Sequence, residues 1–166
     1  WKRSPGPARN PRRDPQLSPM RQPIRTLSEV EATLDSFHDC HVHGLAWQRD
    51  YFSFSLDLQY ILQWIPPASA TEGYSFLVAD AQLTFQSSAE VRVAMDWMTS
   101  PLDAQIAAVR VLDTRRTPNG AIQRKFEIEL ADPEGSITLW STGYEVLLRD
   151  EPVISPVPSP TRGHAP

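Results

Sequence analysis

The sequence has one cysteine, Cys40, and no apolar run long enough to span a membrane. A single cysteine excludes an intrachain disulfide and is typical of a reducing compartment. No apolar run of signal-peptide length follows the basic start, so we expect a cytoplasmic protein with no membrane contact. The chain also lacks a Gly-rich phosphate loop and a Gly-x-Ser-x-Gly nucleophile motif, and we therefore predict no catalytic residues.

Proline, by contrast, is abundant and clustered at the two ends, which defines the predicted domain organisation. Residues 1–20 hold five of the sixteen prolines, five Lys/Arg and no apolar periodicity, so they are predicted to form a disordered basic tail. Residues 152–166 repeat proline at short intervals and are predicted to form a second disordered tail. A single β-rich domain is expected between them, over residues 21–151.

The predicted domain is acidic although the tails are not. Residues 21–151 carry ten Lys/Arg and nineteen Asp/Glu, a formal charge of −9. Such a surface repels phosphate backbones and attracts basic proteins, so we expect a protein partner of basic character and no nucleic acid. Because an exposed edge strand could pair with a second copy, monomer and homodimer both stay open.

One helix is predicted, before the strands begin. Leu27, Val30, Leu34 and Phe37 recur at helical spacing over residues 26–37, and Ser28 with Glu31 can form a capping box. We expect this helix to pack across one face of a sheet.

From His41 onward the apolar period changes to two. Phe52, Phe54, Leu56, Leu58 and Tyr60 alternate with polar residues, which is typical of a strand with one face in the core. Asn119-Gly120 and Asp132-Pro133-Glu134-Gly135 mark tight turns between later strands. About seven strands without helix-length connections predict a mainly β (α+β) fold, an antiparallel meander curled into an open barrel or two-layer sandwich.

One short segment gathers side chains that can bind a metal: His38, Asp39, Cys40, His41 and His43. On a regular strand, His41 and His43 would point to the same face, the spacing that two ligands of one zinc ion require. The alternative to a protein-binding function is therefore a small-molecule-binding or zinc-dependent enzyme that uses this segment inside a curled sheet. The other interpretation is a polar strand face and turn cap, with no cofactor.

The order of elements resembles that of a known group of proteins. Ser36-Phe37-His38-Asp39, the run from Ala79 to Phe85 and the run from Gly143 to Arg149 resemble segments of a small uncharacterised bacterial β-domain family similar to immunity proteins of polymorphic toxin systems. The resemblance spans residues 26–152, and it differs at Cys40, where Ala is common. It implies a non-enzymatic inhibitor that occludes a basic toxin.

Residues that would contact such a partner are predicted from their position on strand faces or loops. Trp64 lies beside two prolines, where an aromatic side chain is available to a partner. The remaining predicted contacts are acidic: Asp57, Glu72, Asp80, Asp96, Glu127 and Glu129.

Overall fold

The computed structural model describes residues 24–48, 51–69, 71–95 and 104–158. They form ten β-strands and one short 3-10 helix, Leu34–Phe37, so the expectation of a mainly antiparallel β protein is confirmed. The strands are β1 (Arg25–Ser28), β2 (His41–Gln48), β3 (Ser53–Ile65), β4 (Ser75–Gln86), β5 (Ala89–Met95), β6 (Ala104–Arg116), β7 (Ile122–Asp132), β8 (Glu134–Ser141), β9 (Gly143–Leu148) and β10 (Val153–Ser155). The predicted tail over residues 1–20 lies outside the described residues.

All ten strands belong to one sheet in the order β1-β9-β4-β3-β2-β6-β7-β8-β5, with β10 beside β4. Every pairing is antiparallel, and the described sheet does not close into a barrel. Only two residue pairs join β2 to β6, His41 with Gln105 and Val42 with Ala104. This narrow junction divides the sheet into a first half, which contains β3, β4 and β9, and a second half, which contains β6, β7 and β8.

The two halves pack against each other through their apolar faces. In β3 the alternating residues Phe54, Leu56, Leu58 and Tyr60 are buried, as their spacing predicts. The ring centroids of Phe85 in β4 and Phe126 in β7 are 5.2 Å apart, although three strands, β3, β2 and β6, separate β4 from β7 in the sheet order. The sheet is therefore curled, with an apolar core between its halves.

Two connections between the halves of the sheet, from β4 to β5 and from β8 to β9, stabilise this curled arrangement. The chain passes from β4 to β5 through Ser87 and Ser88, and from β8 to β9 at Thr142. Ser141 Oγ donates to the carbonyl of Gln86 at 2.6 Å, and Thr142 N donates to the same carbonyl at 3.0 Å. These bonds tie the two connections to each other.

The predicted helix over residues 26–37 is wrong, because no α-helix occurs in the described parts of the chain. Leu27 is buried in edge strand β1 against β9, whereas Val30 is 87% exposed. The capping contact does form, since Ser28 N donates to Glu31 Oε2 at 3.0 Å, but it closes a turn after β1. Four apolar residues at helical spacing fit a strand, a turn and a 3-10 helix equally well.

Two smaller expectations also need correction. Phe52 precedes β3 with a positive φ of 48° and is exposed, so it does not belong to the buried alternation. Residues 153–155, assigned to the disordered tail, pair with β4 as β10. The turn at Asn119-Gly120 is confirmed, and Gly120 has the positive φ of 88° that favours glycine there. No helix of the described residues is long and apolar enough to cross a membrane.

Candidate partner-binding face

The register of β3, β4 and β9 defines one polar face on the side of the first half away from the core. Directly opposite residues of an antiparallel pair share a face, and the ladder pairs Asp57 with Gln82, Gln59 with Asp80, and Thr84 with Glu145. We call this surface, made by Asp57, Trp64, Asp80, Gln82, Thr84 and Glu145, the outer face. It contains three residues that the sequence predicted as partner contacts, Asp57, Trp64 and Asp80.

Trp64 reaches the outer face because of a β-bulge. Simple alternation would place it on the side of Leu58 and Tyr60, in the core. The register shifts between Ile61 and Gln63, so that Trp64 pairs with Phe76 and its direction is reversed. Its ring packs at 4.9 Å from Phe76 and 6.1 Å from Tyr74, and 46% of the residue stays exposed.

Two of the predicted acidic contacts, Asp57 on the outer face and Glu72 in the loop after β3, differ in their contacts. Asp57 Oδ1 binds Arg149 Nη2 at 2.7 Å and accepts a hydrogen bond from Gln82 Nε2 at 3.2 Å. Glu72 lies in the exposed loop between β3 and β4, where its Oε2 accepts from the Ala68 amide at 3.3 Å. A partner's cation at Asp57 would therefore compete with Arg149, whereas Glu72 carries a charge without an ion-pair partner among the described residues.

The other predicted acidic contacts do not join this face. Glu127 and Glu129 lie on the outward side of β7, opposite to Phe126 and Ile128, and both are bound by Arg110 at 3.6 and 2.6 Å. Because the two halves pack core to core, this surface faces away from the outer face. Asp96 lies outside the described residues.

At the end of the outer face distant from Trp64, the structure shows a pocket that sequence reasoning missed. It has a volume of about 410 Å³ and includes Thr84 and Glu145. Their proximity depends on pairing between β4 and β9, whose partners are about sixty residues apart in sequence. No local sequence pattern predicts that register, although the alternation within each strand does predict that Thr84 and Glu145 both point outward.

The His38–His43 segment does not form a cluster of converging ligands. No group of three His, Cys, Asp or Glu side chains in the described parts of the chain could hold a metal ion. A β-bulge between Val42 and Gly44 interrupts the alternation that would place His41 and His43 on the same face. Asp39 instead binds His38 Nδ1 at 2.9 Å and accepts from Gln105 Nε2 at 2.6 Å, which ties the segment to β6.

Cys40 is fully buried and packs in the hydrophobic core. Its Sγ lies 3.7 Å from the Ser36 carbonyl, to which the thiol donates. Burial raises the pKa of the Cys40 thiol to about 12, and the nearby charge of Asp39 acts in the same direction. A thiol in this state is a poor metal ligand and a poor nucleophile, because both roles require the thiolate.

Comparison of the chain with protein-family models, with curated proteins and with solved structures found no match.

Proposed function

We propose that this chain is a non-enzymatic protein-binding module that engages a basic protein, in the manner of an immunity-like inhibitor of a toxin. One observation carries the proposal: Asp57, Asp80 and the half-exposed Trp64 share one face of the paired strands β3 and β4. A partly exposed tryptophan supported by other rings, on a face that also carries carboxylates further along the strands, resembles an aromatic anchor of a protein interface with charged groups at its rim.

The charge balance of the molecule supports a basic partner. Most arginines of the described residues are occupied by internal carboxylates, as in the pairs of Arg110 with Glu129, Arg115 with Glu90 and Arg149 with Asp57. Acidic groups exceed basic ones, so the surface keeps a net negative field after these pairs form. Such a field accelerates encounter with a cationic protein and loses its effect in salt.

The proposal is tested by affinity capture with the full chain from lysate of the source cells, at low and at raised salt. We expect one stoichiometric basic protein that is retained at low salt and whose own activity falls when the complex forms. Trp64→Ala should weaken binding of that protein roughly tenfold or more, since truncated interface tryptophans commonly cost at least that much.

Glu129→Gln is the matched control because it changes a charge on the opposite surface. It should leave the affinity within about twofold, a small fraction of the effect expected of an interface centre. Capture of no basic protein at either salt, or equal losses for Trp64→Ala and Glu129→Gln, would contradict the proposal.

A further inference from the structure

The pocket at the end of the outer face distant from Trp64 has features of a binding site. Its volume of about 410 Å³ lies in the range of small-ligand pockets. Tyr51 lines it and is 77% exposed, and Leu147 contributes apolar surface. Gln82, Thr84 and Glu145 contribute polar groups.

Thr84 is the residue in this pocket that the folded chain leaves unsatisfied. It is 9% exposed, and its Oγ1 is buried without a hydrogen-bond partner, the only such side-chain atom among the described residues. A buried hydroxyl without a partner is costly, and such groups in native proteins call for an explanation. A ligand in the pocket would supply one once the Thr84 side chain rotates about χ1, because Oγ1 has almost no accessible surface in its present position.

Glu145 stands directly opposite Thr84 in the ladder between β4 and β9, so their Cβ atoms lie within about 5 Å of each other. Its carboxylate has no ion-pair partner among the described residues, and it is the only charged group that lines the pocket. Gln82 Nε2 already donates to Ser55 and Asp57, so the carbonyl oxygen of Gln82 is the part of that amide left for a ligand. These three oxygens require a ligand rich in donors.

We propose that this pocket binds an arginine side chain. A guanidinium group carries five N–H donors in a planar fork, which can pair two with a carboxylate and direct others to neighbouring oxygens. Its flat face also stacks on aromatic rings, the role that the exposed ring of Tyr51 provides at the pocket. The inference rests on the proposed function in one respect, because the arginine belongs to the basic partner.

The test uses the full chain and a small probe, N-acetyl-arginine amide, titrated to about 50 mM while amide NMR shifts are followed, a range that detects a millimolar Kd. We expect saturable shifts at Thr84 and Glu145. The neutral isostere N-acetyl-citrulline amide should bind at least tenfold more weakly, because it lacks the charge, and N-acetyl-lysine amide should be weaker because it cannot pair with the carboxylate through two bonds.

Two variants locate the site. Glu145→Gln should weaken arginine binding about tenfold and Thr84→Val about threefold, whereas Glu127→Gln, on the opposite surface, should leave it unchanged. Saturable shifts elsewhere, equal affinity for arginine and citrulline, or no shift at all would overturn the assignment. Such a result would leave the proposed function standing, since capture of a partner and its loss in Trp64→Ala are measured separately.

Discussion

Glu29 and Arg124 join the two halves of the sheet at one end of the core. Arg124 Nη2 lies 2.5 Å from Glu29 Oε1 and 2.7 Å from Oε2, and Glu29 Oε1 also accepts a hydrogen bond from the amide of Tyr144 at 2.9 Å. Glu29 follows β1 and Arg124 lies in β7, and the guanidinium also covers the ring of Phe126 at 5.1 Å. The pair therefore links β1 and β9, which are neighbours in the sheet, to β7, which approaches them only through the curl of the sheet.

A double-mutant cycle with Glu29→Gln and Arg124→Gln should give a coupling energy of about 1 kcal/mol, because both side chains are about one-third exposed and water screens their attraction. The cycle is measured by urea unfolding. The exposed pair of Arg25 and Glu31 is the control, and its coupling should be clearly smaller, because water screens both side chains more fully. Equal coupling in the two cycles would show that the link between the halves adds nothing to stability.

Thr84→Val should stabilise the free protein by about 1 kcal/mol, because it replaces a buried hydroxyl that has no partner by a methyl group of similar shape. The free energy of unfolding in urea measures the effect. Thr138→Val, at a partly exposed position of β8, should change stability by less than about 0.5 kcal/mol. A loss of stability in Thr84→Val would indicate that the hydroxyl already has a partner in solution.

Gly120→Ala should destabilise the protein by about 1 kcal/mol, because Gly120 has a φ of 88° in the turn between β6 and β7. Thermal or urea unfolding measures this cost. Gly73→Ala is the matched control: that glycine has no positive φ, and an added Cβ would meet no atom within 4 Å. The control should be neutral or slightly stabilising, and an equal cost at both positions would contradict the role of the backbone angle.

Much of the fold could be predicted because its signals are local. The burial of the apolar set from Phe54 to Tyr60 and the Asn119-Gly120 turn depend on neighbouring residues and occur as predicted, although Ser55 and Gln59 on the other side of β3 are buried as well. The prediction of a helix over residues 26–37 was wrong because it, too, used local signals alone. Its apolar spacing and its Ser28–Glu31 contact do not distinguish a helix from an edge strand followed by a turn, and pairing with β9 decides between them.

The candidate site likewise has features that local sequence signals predict and features that depend on long-range strand pairing. Asp57 and Asp80 could be placed on an exposed face because each alternates with buried residues. Trp64 was predicted to be available to a partner because prolines follow it in a loop, but it lies in β3, and a bulge in that strand turns it outward. Bulges leave no clear mark in the sequence, and the ladder that brings Thr84 to Glu145 joins distant segments. These features require the three-dimensional register.

Cys40 should make the protein less stable in mild alkali. The pKa of the Cys40 thiol is raised to about 12 in the folded protein, whereas an unfolded cysteine titrates near pH 8.5. The unfolded chain therefore loses this proton first, so the stability present below about pH 8.5 falls by up to about 1.4 kcal/mol per pH unit as the pH rises toward the folded pKa. Tyr144, whose pKa burial also raises to about 12, acts in the same direction at higher pH.

The contribution of Cys40 can be isolated with Cys40→Ala, by comparing urea unfolding at pH 7.5 and pH 10. Wild type should lose about 2 kcal/mol more than the variant over this interval, since one proton separates the folded and unfolded states above pH 8.5. Folded wild type should also react with iodoacetamide far more slowly than the urea-unfolded chain, because the thiol is buried and protonated. Equal alkaline losses in the two proteins, or rapid alkylation of the folded chain, would show that Cys40 is not held as a neutral thiol in the core.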